Sequence, residues 1–506
     1  MRKYLPVPLI VIIFLFLSCD RAHKDEGKLS VKEMKADLGI LWSAVKELHP
    51  GYGLYASPDS IHDAYNTALA AIDEPMYEGE FISRIYPFLC TLGCGHTQLR
   101  HSANHHPPTG IKTSHLPFEV LVHGERAWVT TRKTNKLATG DEILSINDTP
   151  VADVIRNGYS LYCGDGHVAS FKELYLSEYD GFDDVCNMHY KWSTPYRVAA
   201  RSDKGLVKTI VLDSTDTVTI TNTPVDKYAS WDKAWNKDEL GLYFSKDSST
   251  VLFEVKGLAY EDTVTYGKLF AQVAQKRSGN LILDMRHNGG GDIRIVTRLL
   301  SYLADTSFAM IRDLSSRIAD PSTNSQIAYF DPEKTVSFKS TCVPGAHIGN
   351  TWHMDVRPEF CRPYGPNPVA IRDRFKGKLY VLIDGATFSS AALFTTALKA
   401  QRKDVVFIGR ETAGTEEGCN GFSMQQLTLP NSHIVIDFPW LRVISMAPSP
   451  PGGRGLMPDY PVAYSPEDAV KSNDPDLAKA LDLVEENKKR LKPQVKCLPR
   501  VTSPLP

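Results

Sequence analysis

The chain has 506 residues, of which 42% are hydrophobic and 23% charged, and its formal net charge is −2. That composition is ordinary for globular protein, and the length allows several domains with sizeable cores. A near-neutral balance with no basic block argues against nucleic acid as a partner. The first element is Arg2 and Lys3 followed by an apolar run, Leu5–Leu17, which ends at Ser18-Cys19. The run is too short to span a bilayer.

A small residue followed by Cys after such a run resembles a lipoprotein signal, with Phe16 where Leu is commonest. The resemblance implies a signal over 1–19, lipidation at Cys19 and a polar tether over 20–29. The expected location is then the bacterial cell envelope, lipid-anchored, with the outer membrane or cell surface ahead of the inner membrane. Lys24-Asp25-Glu26 resembles the short charged signal of surface lipoproteins. An ordinary secretory signal with an incidental Cys is the other reading. Nine cysteines occur at irregular spacings, and no pairing follows from them.

Residues 30–112 read as a helical domain. Ser30 and Glu33 make a capping box, and Met34, Leu38, Leu41, Trp42, Val45 and Leu48 give a helical stripe stopped by Pro50-Gly51. Two more helices are expected near Ser60–Ile72 and Glu78–Leu89, the last running out at Gly93-Cys94-Gly95-His96. His101, His105 and His106 follow, but no H-E-x-x-H pattern accompanies them, so neither a metal nor a cofactor is expected.

Residues 113–225 begin with strands at Phe118–Val122 and Ala127–Thr131, then LATGDEILSIN over 137–147. That run resembles the L-x-x-GD-x-I-x-x-IN core of PDZ modules, which take a peptide as an added strand. A β-module that only props its neighbour is the plainer alternative. Gly158–Tyr190 looks like an insertion with a turn at Cys163–Gly166, and β alternation returns over Lys204–Thr223. Residues 226–465 read as an α/β domain, with strands at Val251–Val255, Asn280–Met285 and Val405–Ile408 and helices at Thr263–Lys276 and Ile293–Leu303. Arg312–Lys376 reads as loop-rich. Gln426–Leu429 and His433–Phe438 suggest a hairpin, and in 466–506 Asp474-Pro475 caps a last helix to about Leu491.

Two stretches of the α/β domain carry chemistry. KLYVLIDGATFSSAALFTTA, 378–397, is a buried strand that breaks at Asp384-Gly385 and resumes as helix near Ser389. A Ser in such a turn can attack a carbonyl while the first helical N–H groups hold the oxyanion, although Ser commonly just caps a helix there. NLILDMRHNGGGD, 280–292, is a second buried strand ending in Gly289, Gly290 and Gly291, which let a ligand approach the backbone closely.

Together these stretches resemble the C-terminal-processing and tricorn-core family of serine peptidases. Its (I/V)LDLRxNGGG and (T/S)(F/A)S(x)A segments read LILDMRHNGGG and ATFSSAA here, its DGHT-like segment reads Gly95-His96-Thr97, and its G-x-G-V-x-P-D reads Gly453–Asp459. The resemblance implies a multidomain α+β fold: an N-terminal helical domain, a PDZ-like module and a crotonase-like catalytic domain. It also implies a serine peptidase acting on proteins or peptides, with Ser389 as nucleophile and His96 as base. Ser390 with Gly289 or Gly290 would form the oxyanion hole. The family's Ser–Lys dyad has no matching Lys, since Thr415-Glu416-Glu417 stand after the GExTxG-like Gly409–Gly414. The family's acid is also missing, because no carboxylate lies between Asp437 and Asp459; Glu411 is the best substitute. Cys94, where the family often has Asp, admits a Cys–His reading without supporting motif. A lipoprotein that binds peptide on a weakened peptidase scaffold is the alternative in a different class. Substrate, oligomeric state and the role of 312–376 do not follow from the sequence.

Overall fold

The computed structural model describes residues 28–105, 115–213, 216, 227–237, 239–259, 263–357, 366–446, 452–471 and 473–491. Cys19 and the rest of the signal-like segment lie outside them. No helix among the described residues is long and apolar enough to cross a membrane.

Three helices open the fold: α1 (Val31–Leu48), α2 (Pro58–Ala70) and α3 (Glu78–Cys90). Ser30 caps α1 in a reciprocal box with Glu33, and of the predicted stripe Met34, Leu38, Leu41, Val45 and Leu48 are fully buried while Trp42 is partly buried. The buried Asp37 carboxylate accepts hydrogen bonds from the N–H groups of Asn431 (3.1 Å) and Ser432 (2.7 Å). It thereby ties α1 to a distant hairpin turn.

A seven-stranded sheet forms the centre, in the order Tyr460–Pro461, Val406–Gly409, Lys378–Ile383, Asn280–Asp284, Thr250–Val255, Leu240–Phe244 and Asp232–Lys237. The first four junctions are parallel and the last two antiparallel. Asn280–Asp284 is buried along its whole length, as expected of a parallel strand covered on both faces. Alternate residues split between two cores. Leu281, Leu283 and Val381 join the large core with α1–α3, while Ile282, Tyr380, Leu382 and Ile408 meet Leu477, Ala480 and Val484 of the last helix, Pro475–Leu491. That helix is also held by charge. Arg286, 7% exposed, bonds Asp284, Asp474 and Asp476, and the Leu477 N–H is capped by Asp474.

A second sheet runs Gln98–Arg100, Val435–Ser445, Ile311–Ser316, Thr351–Val356 and Cys342–Ile348, with Gly418–Thr428 also paired to Val435–Ser445. It corrects two expectations. The hairpin strands are 11 residues each, far longer than read from the sequence, because both faces are covered and strict alternation is lost. Arg312–Lys376 is not mainly loop: it holds three strands of this sheet and the helix Pro332–Thr341. A third sheet, Phe118–His123, Arg126–Arg132, Glu142–Ile146, Tyr196–Arg201 and Val207–Leu212, closes its own core with the helix Val151–Tyr159. The segment expected as an insertion supplies the helices Ser170–Glu178 and Gly181–Asp184.

Candidate active site

The strands Asn280–Asp284 and Lys378–Ile383 are neighbours in register, so their C-terminal ends deliver the triple glycine and the serine turn to the same edge. Ser389 has φ +53° and ψ −127°, a strained conformation for a residue with a side chain, and the helix Ser390–Gln401 starts immediately after it. The strain is held by the surroundings. The Phe388 N–H donates to the Asn288 carbonyl at 3.0 Å, the Ala413 N–H to the Thr387 carbonyl at 3.0 Å, and the Thr387 hydroxyl to the Met285 carbonyl at 3.0 Å. Gly290, at φ +102°, presses so close that a Cβ there would lie 2.8 Å from the Ser389 Cβ. No other residue type fits.

His96 arrives from the opposite side. The strand Gln98–Arg100 pairs with Val435–Ser445, matching Leu99 to Ile436, and this fixes the segment that carries the imidazole. Thr97 is held by a 2.7 Å hydrogen bond to Nε2 of His49, a fully buried residue at the C-cap of α1. Gly95 donates its N–H to Asp165 at 2.8 Å. The Phe388 ring lies over the His96 ring, centroids 4.5 Å apart. As a result His96 Nε2 lies 2.9 Å from Ser389 Oγ, a hydrogen bond between residues 293 apart with the geometry a base and nucleophile need.

The electrostatics favour the neutral base. Burial lowers the His96 pKa to about 4 and that of His49 to about 3, with the Arg317 charge adding to the effect at His49. His96 Nδ1 is buried and has no hydrogen-bond partner among the described residues. Burial pushes Asp165 up to about 7, against the opposing pull of the Gly95 N–H and Arg442. Asn420 is buried with neither amide atom partnered among the described residues, and a Cβ on the adjacent Gly421 would sit 3.5 Å from His96 Nε2.

Two expected assignments need correction. Glu411 does not orient His96. Its carboxylate accepts from Arg454 at 2.8 and 2.7 Å and from the Gly455 N–H at 2.8 Å, so it fastens the loop 409–414 to the segment 453–459. The Gly290 N–H is taken by Asn288 Oδ1 at 2.9 Å and is not presented to a ligand. The Ser390 N–H, first in its helix, has no intrahelical partner, which leaves it with Gly289 as the remaining donors of the expected set. Cys94 is fully buried, and burial raises its thiol to about 12, the neutral form. It is therefore a core residue of the His96 loop rather than a thiolate nucleophile. Cys90, Cys94, Cys163, Cys186, Cys342 and Cys419 are all unpaired.

His49, Asn288 and Asp165 were not singled out from sequence. His49 and Asp165 stand far from any motif, and only the fold brings them to the His96 loop. Asn288 lies within the NGGG signature but gives no hint there that it would close off a glycine N–H.

Residues 257–462 match the family model described as peptidase family S41. Among solved structures the chain is similar to mature CPAF, at 14% identity and TM-score 0.60, covering 92% of this chain and 99% of that one. It is equally similar to mature CPAF complexed with lactacystin, at 14% identity and TM-score 0.62, covering 91% and 98%. The photosystem II D1 C-terminal processing protease matches at 15% identity and TM-score 0.37 over 86% of this chain and 94% of that one. No curated protein matches the sequence significantly. The CPAF likeness establishes a shared fold over nearly the whole chain, and the matched segment contains both the triple glycine and Ser389. Residues 257–462 are thus the part of this chain that is similar to peptidase family S41, within a fold shared with CPAF.

Proposed function

We propose that the protein is a lipid-anchored endopeptidase of the cell envelope that cleaves proteins or peptides through a Ser389–His96 acyl-enzyme mechanism. The observation that carries this reading is the 2.9 Å contact between His96 Nε2 and Ser389 Oγ on a strained serine turn. Ser389 Oγ attacks the scissile carbonyl while His96 Nε2 takes its proton. The oxyanion is held by the Ser390 N–H with that of Gly289. His96 returns the proton to the leaving amine, and water then hydrolyses the ester by the same route in reverse.

The missing acid sets the tempo of this reaction. When Ser389 donates its proton, the imidazolium that forms has no carboxylate at Nδ1 among the described residues, so the charged intermediate is poorly stabilised and turnover is slow. Residues 113–225 act in this reading as a PDZ-like module beside the catalytic domain, and Cys19 carries the lipid. A pure binding role is the less favoured reading, because packing alone gives no reason to hold Ser389 at positive φ.

A serine-directed fluorophosphonate tests the proposal. It should label Ser389 in the wild-type chain, with Ser389→Ala abolishing label and peptide hydrolysis and His96→Ala slowing labelling by orders of magnitude. Absence of label on well-folded wild-type protein would leave only the binding role.

A further inference from the structure

Glu78 opens α3, and the chain passes it again at His101 after completing the His96 loop and the strand Gln98–Arg100. Here the Glu78 carboxylate faces two imidazoles. Oε1 accepts from His101 Nδ1 at 2.7 Å and from the Ser102 N–H at 2.8 Å. Oε2 accepts from the Ser102 hydroxyl at 2.6 Å and lies 3.5 Å from His105 Nδ1. One ligand atom from each of Glu78, His101 and His105 falls within 4.8 Å of the others. The side chains are only 11%, 25% and 15% exposed, in that order.

Two features are poorly explained by hydrogen bonding alone. The His101 and His105 rings stack with centroids 3.7 Å apart, an arrangement that two protonated imidazoles would resist by mutual repulsion. His105 Nδ1 is buried and makes no hydrogen bond among the described residues, although it lies 3.5 Å from Oε2 of the same carboxylate. A single divalent cation answers both, because it draws two neutral imidazole lone pairs and one carboxylate oxygen to one point. The donor set selects the metal: two nitrogens and one oxygen suit Zn²⁺, whereas Ca²⁺ and Mg²⁺ demand oxygen ligands.

We propose that Glu78, His101 and His105 form a Zn²⁺ site, with water completing the tetrahedron. The Ser102 N–H and hydroxyl orient the Glu78 carboxylate from behind, as outer partners of metal ligands do. The site shares no residue with the Ser389–His96 contact and has a structural consequence. It closes the loop from residue 78 to residue 101, which contains His96, and so fixes both ends of the segment that presents the base. None of this depends on the peptidase reading.

The test uses the tag-free full chain in detergent, stripped with a chelator. Titrated Zn²⁺ should bind one per chain by calorimetry and raise the melting temperature, and Co²⁺ should give the visible bands of a tetrahedral ion. His105→Asn and Glu78→Gln should each weaken Zn²⁺ binding by more than the roughly 10–100-fold that loss of an outer partner costs, and Ser102→Ala should fall within that range. Failure of the stripped wild-type chain to bind stoichiometric Zn²⁺ overturns the proposal. So does wild-type affinity in both His105→Asn and Glu78→Gln, each checked for folding by circular dichroism.

Discussion

On the proposed mechanism, the burial of His96, more than the ring's intrinsic basicity, sets the pH at which the site works. A base must be neutral to accept the Ser389 proton, and burial holds the His96 pKa down to about 4. The acid limb of kcat/KM should therefore fall near pH 4 to 5, well below the free-imidazole value of about 6.5. A limb at 6.5 in the pH–rate profile would show that the ring is solvated in the working enzyme. The same depression bears on stability. Between about 6.5 and the folded values of about 4 and 3, the unfolded chain protonates His96 and His49 while the fold keeps them neutral. Stability contributed by these two is present above pH 6.5 and lost as pH falls through that window. Asp165 runs the other way: raised to about 7, its contribution is full below about 3.8 and lost as pH rises toward 7. Glu411 separates structure from chemistry. Because its carboxylate sits on Arg454 and Gly455, Glu411→Gln should lower stability by about 1–3 kcal/mol. Its cost in kcat/KM should stay within about tenfold, against the roughly 10⁴ lost with a triad acid. A loss of that larger size in steady-state assays would restore Glu411 as the orienting group.

Among elements, the hold of α1 on the hairpin turn at 431–432 is the most exposed to a single change. Asp37→Ala leaves the Asn431 and Ser432 N–H groups without their acceptor, at about 1–3 kcal/mol for each donor left buried and unpaired. Chemical denaturation should show a lower midpoint at unchanged slope; a midpoint within error of wild type would mean water replaces the carboxylate. The stretches legible in the sequence are those where one rule decides the outcome. The α1 stripe and its Ser30–Glu33 box, the all-apolar strand at 280–284 and the Asp474-Pro475 cap each answer to local periodicity or capping. The stretch 312–376 was misread because its strands are short, half-polar and paired with partners up to about 130 residues away, as Leu314 is with Val443. Similarly, the partners of Glu411 could not be inferred from spacing, since Arg454 and Gly455 reach it only through the pairing of 453–459 with 411–415. His105 and Glu78 illustrate the same limit: a metal-like set spread over two elements leaves no motif in one.

For the whole molecule, the proposed membrane attachment rests on Cys19, outside the described residues. Cys19→Ala should release a folded chain into the soluble fraction after cell breakage, because no described helix is long and apolar enough to hold it in a bilayer. Retention in the membrane pellet would rule out the lipid as anchor. The segment matched to the family begins at residue 257, yet His96 lies 161 positions earlier, on a strand of three residues laid against Val435–Ser445. Ser389 and His96 are thus brought together from two stretches, only one of which lies in the matched segment. The three pairings of Gln98–Arg100, with the Thr97–His49 and Gly95–Asp165 bonds, hold that junction. On the proposed mechanism, competence to cut is a state of docking that can be lost before the chain unfolds, and a fragment limited to 257–462 would lack His96 together with three strands of the central sheet and the last helix.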